Sequence, residues 1–136
     1  MVEKLLQNLD NAEIVRDLVS EDATYVCLAY DNPEPKSILH YCGSHSNIGP
    51  DSFIDIFASV YNIFSNEEFT IHTCLGDGEN VVVFGTVISR SRASAKLFRS
   101  PFSTWCRVGD RKLKQMPFME DTLASSSVLR VDGSIY

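Results

Sequence analysis

The 136-residue chain has few of the residues that staple small proteins together, and no run of the kind that crosses a membrane. Its four cysteines, Cys27, Cys42, Cys74 and Cys106, form no CxxC pair, and its three histidines do not fall at zinc-finger spacings. These absences argue against a structural metal and a disulfide framework. Four reduced, mostly buried thiols are expected instead. Positive charge is also scarce: 12 Lys and Arg against 18 Asp and Glu give a net charge of −6. Such a balance disfavours nucleic acid and anionic membranes as partners. No apolar stretch approaches the ~20 residues that a spanning helix needs. The opening MVEKLLQNLD has an early acid and no apolar signal core, so a cytoplasmic chain is expected.

What is present is ordinary for a globular protein: 44% hydrophobic and 22% charged residues. The length predicts one domain over residues 1–136, with loose ends at 1–4 and 124–136. A chain of this size buries roughly two-thirds of its unfolded surface, enough for a core without staples.

Val2, Leu5, Leu6 and Leu9 recur at helical spacing. Asn11 is a suitable cap for a second helix carrying Ile14, Val15, Leu18 and Val19. Thr24–Tyr30 is rich in strand formers, DNPEPK must be a loop, and residues 38–44 fit a short strand. Gly49-Pro50-Asp51 opens the clearest helix, with Phe53, Ile54, Phe57, Val60, Tyr61 and Phe64 along one stripe. The period then changes to two. Phe69, Ile71, Thr73 and Leu75 lead to the turn GDGEN, and the apolar run VVVFGTVI follows. Leu97–Val108 and Lys112–Thr122 complete four consecutive antiparallel strands. Pro101 and Pro117 predict bulges or edges. The layout is α+β: a curved antiparallel sheet with about three helices packed on it.

The stretch QMPFMEDT places Met116, Phe118 and Glu120 on one face of the last strand. A carboxyl in an apolar wall titrates nearer neutral pH and moves protons. If the alternation slips by one residue, Asp121 faces inward instead. His45 precedes the Gly49 helix and is a second candidate, against the plainer reading of a solvated loop histidine; His40 and Tyr41 are weaker, and His72 fits a sheet surface. Arg90, Arg92, Lys96 and Arg99 read as a solvated basic turn. Trp105 fits a cavity wall or a stacking platform, and Cys27 an inert thiol.

The segments NAEIVRDLVSEDATYV, GPDSFIDIFASV, GDGENVVVFGTV and SPFSTWCRVGDRKLKQMPFMED, in this order, resemble the nuclear-transport-factor-2-like superfamily, with the SnoaL-like and ketosteroid-isomerase-like branches nearest. The resemblance spans about residues 5–123. It implies a cone whose inward residues are Tyr25, Cys27, Phe84, Thr86, Ile88, Ser103, Trp105, Met116, Phe118 and Glu120. It also implies a hydrophobic small-molecule ligand, no cofactor or metal, and a homodimer through the outer sheet face, with Val81, Val83, Val87 and Cys106 outward. The isomerase machinery does not carry over: Cys27 stands for the base aspartate, Ser103 for the protonated acid, and Glu3 near the tyrosine. What the resemblance leaves is a SnoaL-like isomerase or cyclase with Glu120 as general acid/base, helped by Asp121, His45 or Ser103. The alternatives are a non-catalytic binding or dimerisation module and, third, an epoxide-hydrolase-like activity using Arg90.

Overall fold

The computed structural model describes residues 1–27, 43–44, 49–120, 128, 130–131 and 134–135. Among these residues, three helices precede the long strands: α1 (Val2–Leu6), α2 (Ala12–Leu18) and α3 (Pro50–Ile63). The strands are β1 (Val19–Cys27), β2 (Gly43–Ser44), β3 (Phe64–Asp77), β4 (Asn80–Ser91), β5 (Leu97–Gly109) and β6 (Lys112–Glu120). A small hairpin of β7 (Arg130–Val131) and β8 (Ser134–Ile135) follows. No helix among the described residues is long and apolar enough to cross a membrane.

Among the described residues the main sheet has six strands in the order β2-β1-β6-β5-β4-β3. Strands β3 to β6 form the expected antiparallel meander. The sheet as a whole is mixed, because β6 returns beside β1 in the parallel sense. A parallel pair needs a long crossover, and the entire stretch from α3 through β5 supplies it. Bulges fall between Asn66 and Glu68, Ile71 and Thr73, Arg107 and Val108, and Val19 and Thr24. They do not fall at the prolines: Pro101 lies opposite Thr86 in an unbroken ladder, and Pro117 opposite Val26.

Local chemistry explains the element ends. The Asn11 side chain accepts from the backbone N–H groups of Glu13 and Ile14, at 3.1 and 3.3 Å, and starts α2. Gly49 has φ 89°, and a Cβ there would lie 2.8 Å from the Glu21 carbonyl oxygen. Its N–H donates to the Ala23 carbonyl at 2.9 Å, so the start of α3 is held directly on β1. The first residues, expected loose, form α1 with Val2 buried.

The core lies between the helices and the inner sheet face. Phe53 of α3 is fully buried, worth about 1.5–3 kcal/mol of transfer free energy. Its ring meets Tyr25 of β1 edge-on at 5.8 Å, and Phe57 meets the same tyrosine at 5.4 Å. On the sheet, Phe69, Phe102 and Phe118 stack across three strands, with centroid separations of 4.8 and 5.3 Å.

The β5–β6 turn gives a first testable prediction. Gly109 pairs with Lys112, and the intervening Asp110 and Arg111 both have positive φ, 53° and 62°. This is the backbone of the preferred two-residue hairpin turn, which favours glycine at its second position. Arg111→Gly is expected to raise stability by about 0.5–1 kcal/mol. A thermal melt showing an unchanged or lower midpoint would contradict this.

Candidate functional site

Beneath α3 the inner sheet face leaves a cavity of about 70 Å³. Phe57, Val60 and Tyr61 descend from α3, Leu9 from the turn before α2, and Tyr25 from β1. Phe64, Asn66 and Phe69 of β3, Val87 and Ser89 of β4, Phe98 of β5, and Phe118 and Glu120 of β6 complete the lining. The wall is mainly aromatic and aliphatic, with Tyr61, Asn66, Ser89 and Glu120 as its main polar points. Glu120 is the one carboxylate among the described lining residues. It also borders a shallow depression on the other face, beside Phe84, Pro101, Ser103 and Met119. It therefore stands at the rim, half-buried, where a proton can pass between cavity and water.

The structure separates the predicted pocket residues into two groups. Tyr25, Phe118 and Glu120 line the cavity. Met116 is fully buried in the adjoining core. Phe84 and Trp105, 46% and 52% exposed, point away from it; Thr86, Ile88 and Ser103 share their outer phase. The inward set on β4 is Val83, Gly85, Val87, Ser89 and Ser91, and on β5 Phe98, Ser100, Phe102, Thr104 and Cys106. Val83 and Cys106, expected outside, are therefore fully buried, and Val81 and Val87 are half-buried.

The physical reason is charge at the strand ends. Arg99 and Arg107 share parity with Ser103 and Trp105, and Arg90 shares parity with Phe84, so those faces belong in water. Trp105 satisfies its indole N–H on Asn80 at 2.8 Å in the exposed position. On the inner face Phe102 lies opposite Gly85, whose missing side chain makes room for the ring. The buried Thr104 hydroxyl donates to the Pro117 carbonyl at 2.9 Å. The alternation of arginines and the glycine opposite Phe102 were the signals that fix this phase.

His45 and Asp121 lie outside the described residues, as do His40, Tyr41 and the side chain of Cys27; the Cys27 backbone pairs with Phe118. His72 shares a 2.9 Å hydrogen bond with Thr86 at the exposed sheet surface. Arg90 is not inward: its guanidinium donates to Glu67 at 3.2 Å and to the Ala95 carbonyl at 2.7 Å. Arg92 donates to the Tyr61 carbonyl at 2.7 Å. Ser103 and Glu3 do not line the cavity: Ser103 borders the outer depression, and Glu3 stands beside Cys74. Cys74 is exposed, against expectation, because it lies on the edge strand β3. Burial pushes the Cys106 thiol up to about 11, so it is inert at neutral pH.

Sequence reasoning missed Tyr61 as a polar cavity residue, having placed it in the apolar stripe of α3. Burial, followed by the Asp10 carboxylate, raises its phenol, which stays a neutral donor at physiological pH. Asn66 and Ser89 were missed because each lies among turn-like residues at a strand end. Among the described residues, no cluster of three His, Cys, Asp or Glu side chains is arranged to hold a metal.

No protein-family model matches the chain. It is 39% identical over 122 residues to patulin synthesis protein F of Aspergillus clavatus, covering 89% of this chain and 62% of that protein. It is 34% identical over 122 residues to patulin biosynthesis cluster protein F of Penicillium expansum, covering 89% and 61%. The chain thus spans about three-fifths of the length of these curated relatives. Among solved structures, a nuclear-transport-factor-2-like protein of Burkholderia xenovorans superposes with TM-score 0.74 at 16% identity, covering 95% and 92% of the two chains. A ketosteroid-isomerase-like protein of Catenulispora acidiphila, bound to trimethylamine, gives 0.66 at 15%, covering 88% and 82%. A Jannaschia protein assigned to the SnoaL-like polyketide cyclases gives 0.64 at 17%, covering 93% and 89%. The element order, the curved α+β sheet under three helices and these superpositions together show that the chain has the nuclear-transport-factor-2-like fold.

Proposed function

We propose that the protein is a small-molecule enzyme, a cofactor-independent isomerase or cyclase acting on a hydrophobic carbonyl-bearing metabolite. The observation that carries this reading is Glu120, a carboxylate at the rim of a mainly apolar cavity. Glu120 takes a proton from the carbon beside the carbonyl and returns it elsewhere on the substrate. Tyr61, Asn66 and Ser89 line the same space and offer donors to the developing oxyanion. Asp121, next in sequence, and His45 remain proposed assistants. The names of the two curated relatives, both in patulin synthesis, support a role in small-molecule biosynthesis.

The test is solvent deuterium exchange, followed by NMR, with a panel of hydrophobic ketones and enones. Wild type is expected to exchange the protons beside the carbonyl. Glu120→Gln keeps the shape and removes the titration, and should slow exchange by about a hundredfold. Equal exchange rates in the two proteins would remove Glu120 from the mechanism.

The small free volume favours a second reading, a non-catalytic binding or dimerisation module, since ligand pockets usually span about 300–1,000 Å³. In either reading the protein is proposed to be a homodimer through the outer sheet face. That face now carries Phe84, Trp105 and Met119, all exposed, rather than the valines first expected there. Trp105→Glu should convert the dimer to monomer in sedimentation at micromolar concentration. Identical sedimentation of wild type and variant would exclude this interface.

A further inference from the structure

At about 70 Å³ the cavity is small for a whole metabolite, so the surroundings of its wall matter. A groove of about 420 Å³ opens between the α1–α2 turn and the start of β3. Tyr61, Asn66 and Phe69 line both the groove and the cavity. The two spaces therefore adjoin across these three residues, one of them a half-buried tyrosine on α3. Their chemistry differs. Cavity walls are mainly rings and branched aliphatics, whereas the groove adds Gln7, Ser65, Asp10 and Arg92.

We infer that the cavity and the groove are the two halves of one ligand site, divided by Tyr61, for an elongated molecule with an apolar ring at one end and an uncharged polar end at the other. The ring enters the cavity, where aromatic walls exclude water. The polar end lies in the groove against amide and hydroxyl groups. One acid and one cation face that end together, so neither sign of charge on the ligand is favoured. Tyr61 stands between the halves as a neutral hydroxyl, its phenol raised by burial and by Asp10. Arg92, by holding the Tyr61 carbonyl, ties this part of α3 to the β4–β5 turn. The inference deepens the proposed function, since it names the substrate class for the cavity that Glu120 borders.

The experiment needs no turnover. Two probes share one ring: anisole, and 3-phenoxypropane-1,2-diol, which adds an uncharged diol. Affinities are measured by NMR titration of the intact protein. In wild type the diol should bind about tenfold tighter than anisole, the worth of one or two added hydrogen bonds. Ser65→Trp fills the groove and should abolish this advantage while leaving anisole affinity unchanged. Gln7→Trp, from the opposite wall, should do the same and guards against misfolding of either variant. Val87→Trp fills the cavity and should weaken both probes at least about tenfold. Equal affinity of the two probes in wild type, no binding of either at millimolar concentration, or a diol advantage that survives both groove variants would overturn the bipartite site. Intact diol binding with deuterium exchange unaffected by Glu120→Gln would instead count against the acid–base reading and leave the bipartite site standing.

Discussion

Phe102→Ala is expected to lower stability by about 3–5 kcal/mol and the melting temperature by about 10–20 °C. Phe102 is 3% exposed and lies between Phe69 and Phe118, nearly parallel to both at 24° and 13°. Each such pair adds about 0.5–1.5 kcal/mol beyond the area it buries. The void left by the ring cannot easily collapse, because β5 is fixed on both sides by the ladders to β4 and β6. The cost should therefore fall in the upper part of the usual range for large-to-small changes. Phe69 and Phe118 also form cavity wall, so the variant should enlarge the site and gain affinity for benzene. Urea unfolding measures the first effect and NMR titration the second. A loss below about 1 kcal/mol would mean the three rings do not pack as described.

Gly85→Val is expected to prevent folding at 37 °C, and Gly85→Ala to cost about 3 kcal/mol. A Cβ at Gly85 would lie 2.2 Å from the Thr70 carbonyl oxygen and 2.5 Å from two atoms of the Phe102 ring. A ring can tilt, but the Thr70 oxygen belongs to the backbone of β3, which is laddered to β4. The two clashes can be separated by a double-mutant cycle. Phe102→Ala in the Gly85→Ala background removes the ring clash and leaves the carbonyl clash, so the two losses should add to less than their sum by about 1 kcal/mol. Strict additivity would show that the ring does not press on Gly85, and wild-type stability of Gly85→Ala would show that the strand tolerates a side chain there.

Both residues also show how much of the site was legible beforehand. The helix opening at Gly49-Pro50, the hairpin at Gly78 and the four late strands follow from local chemistry, and each appears where the residues put it. In β6 the alternation of Met116, Phe118 and Glu120 was readable as one face, although the sequence left its phase open by one residue, between Glu120 and Asp121. In β4 it was not. Val81, Val82, Val83 and Phe84 are all apolar, so alternation carries no information there, and the aromatic was assigned to the interior for its size alone. The parity of Arg90, Arg99 and Arg107 held the answer. Trp105 shows the same lesson, since a lone tryptophan is usually buried but here sits 52% exposed, with Arg99 and Arg107 in the same parity on its strand.

The sequence by itself determined the order of the elements from α1 to β6, the α+β class and the carboxylate at the end of β6, because these depend on neighbours within a few residues. The tertiary structure decided the rest. The parallel pairing of β6 with β1, the phase of β4 and β5 and the meeting of Tyr61, Asn66 and Glu120 around one cavity join residues up to about a hundred positions apart. Such contacts are set by which face finds a partner to bury against. A two-residue period gives that choice only two outcomes, and a single glycine facing a single phenylalanine, Gly85 and Phe102, selects between them.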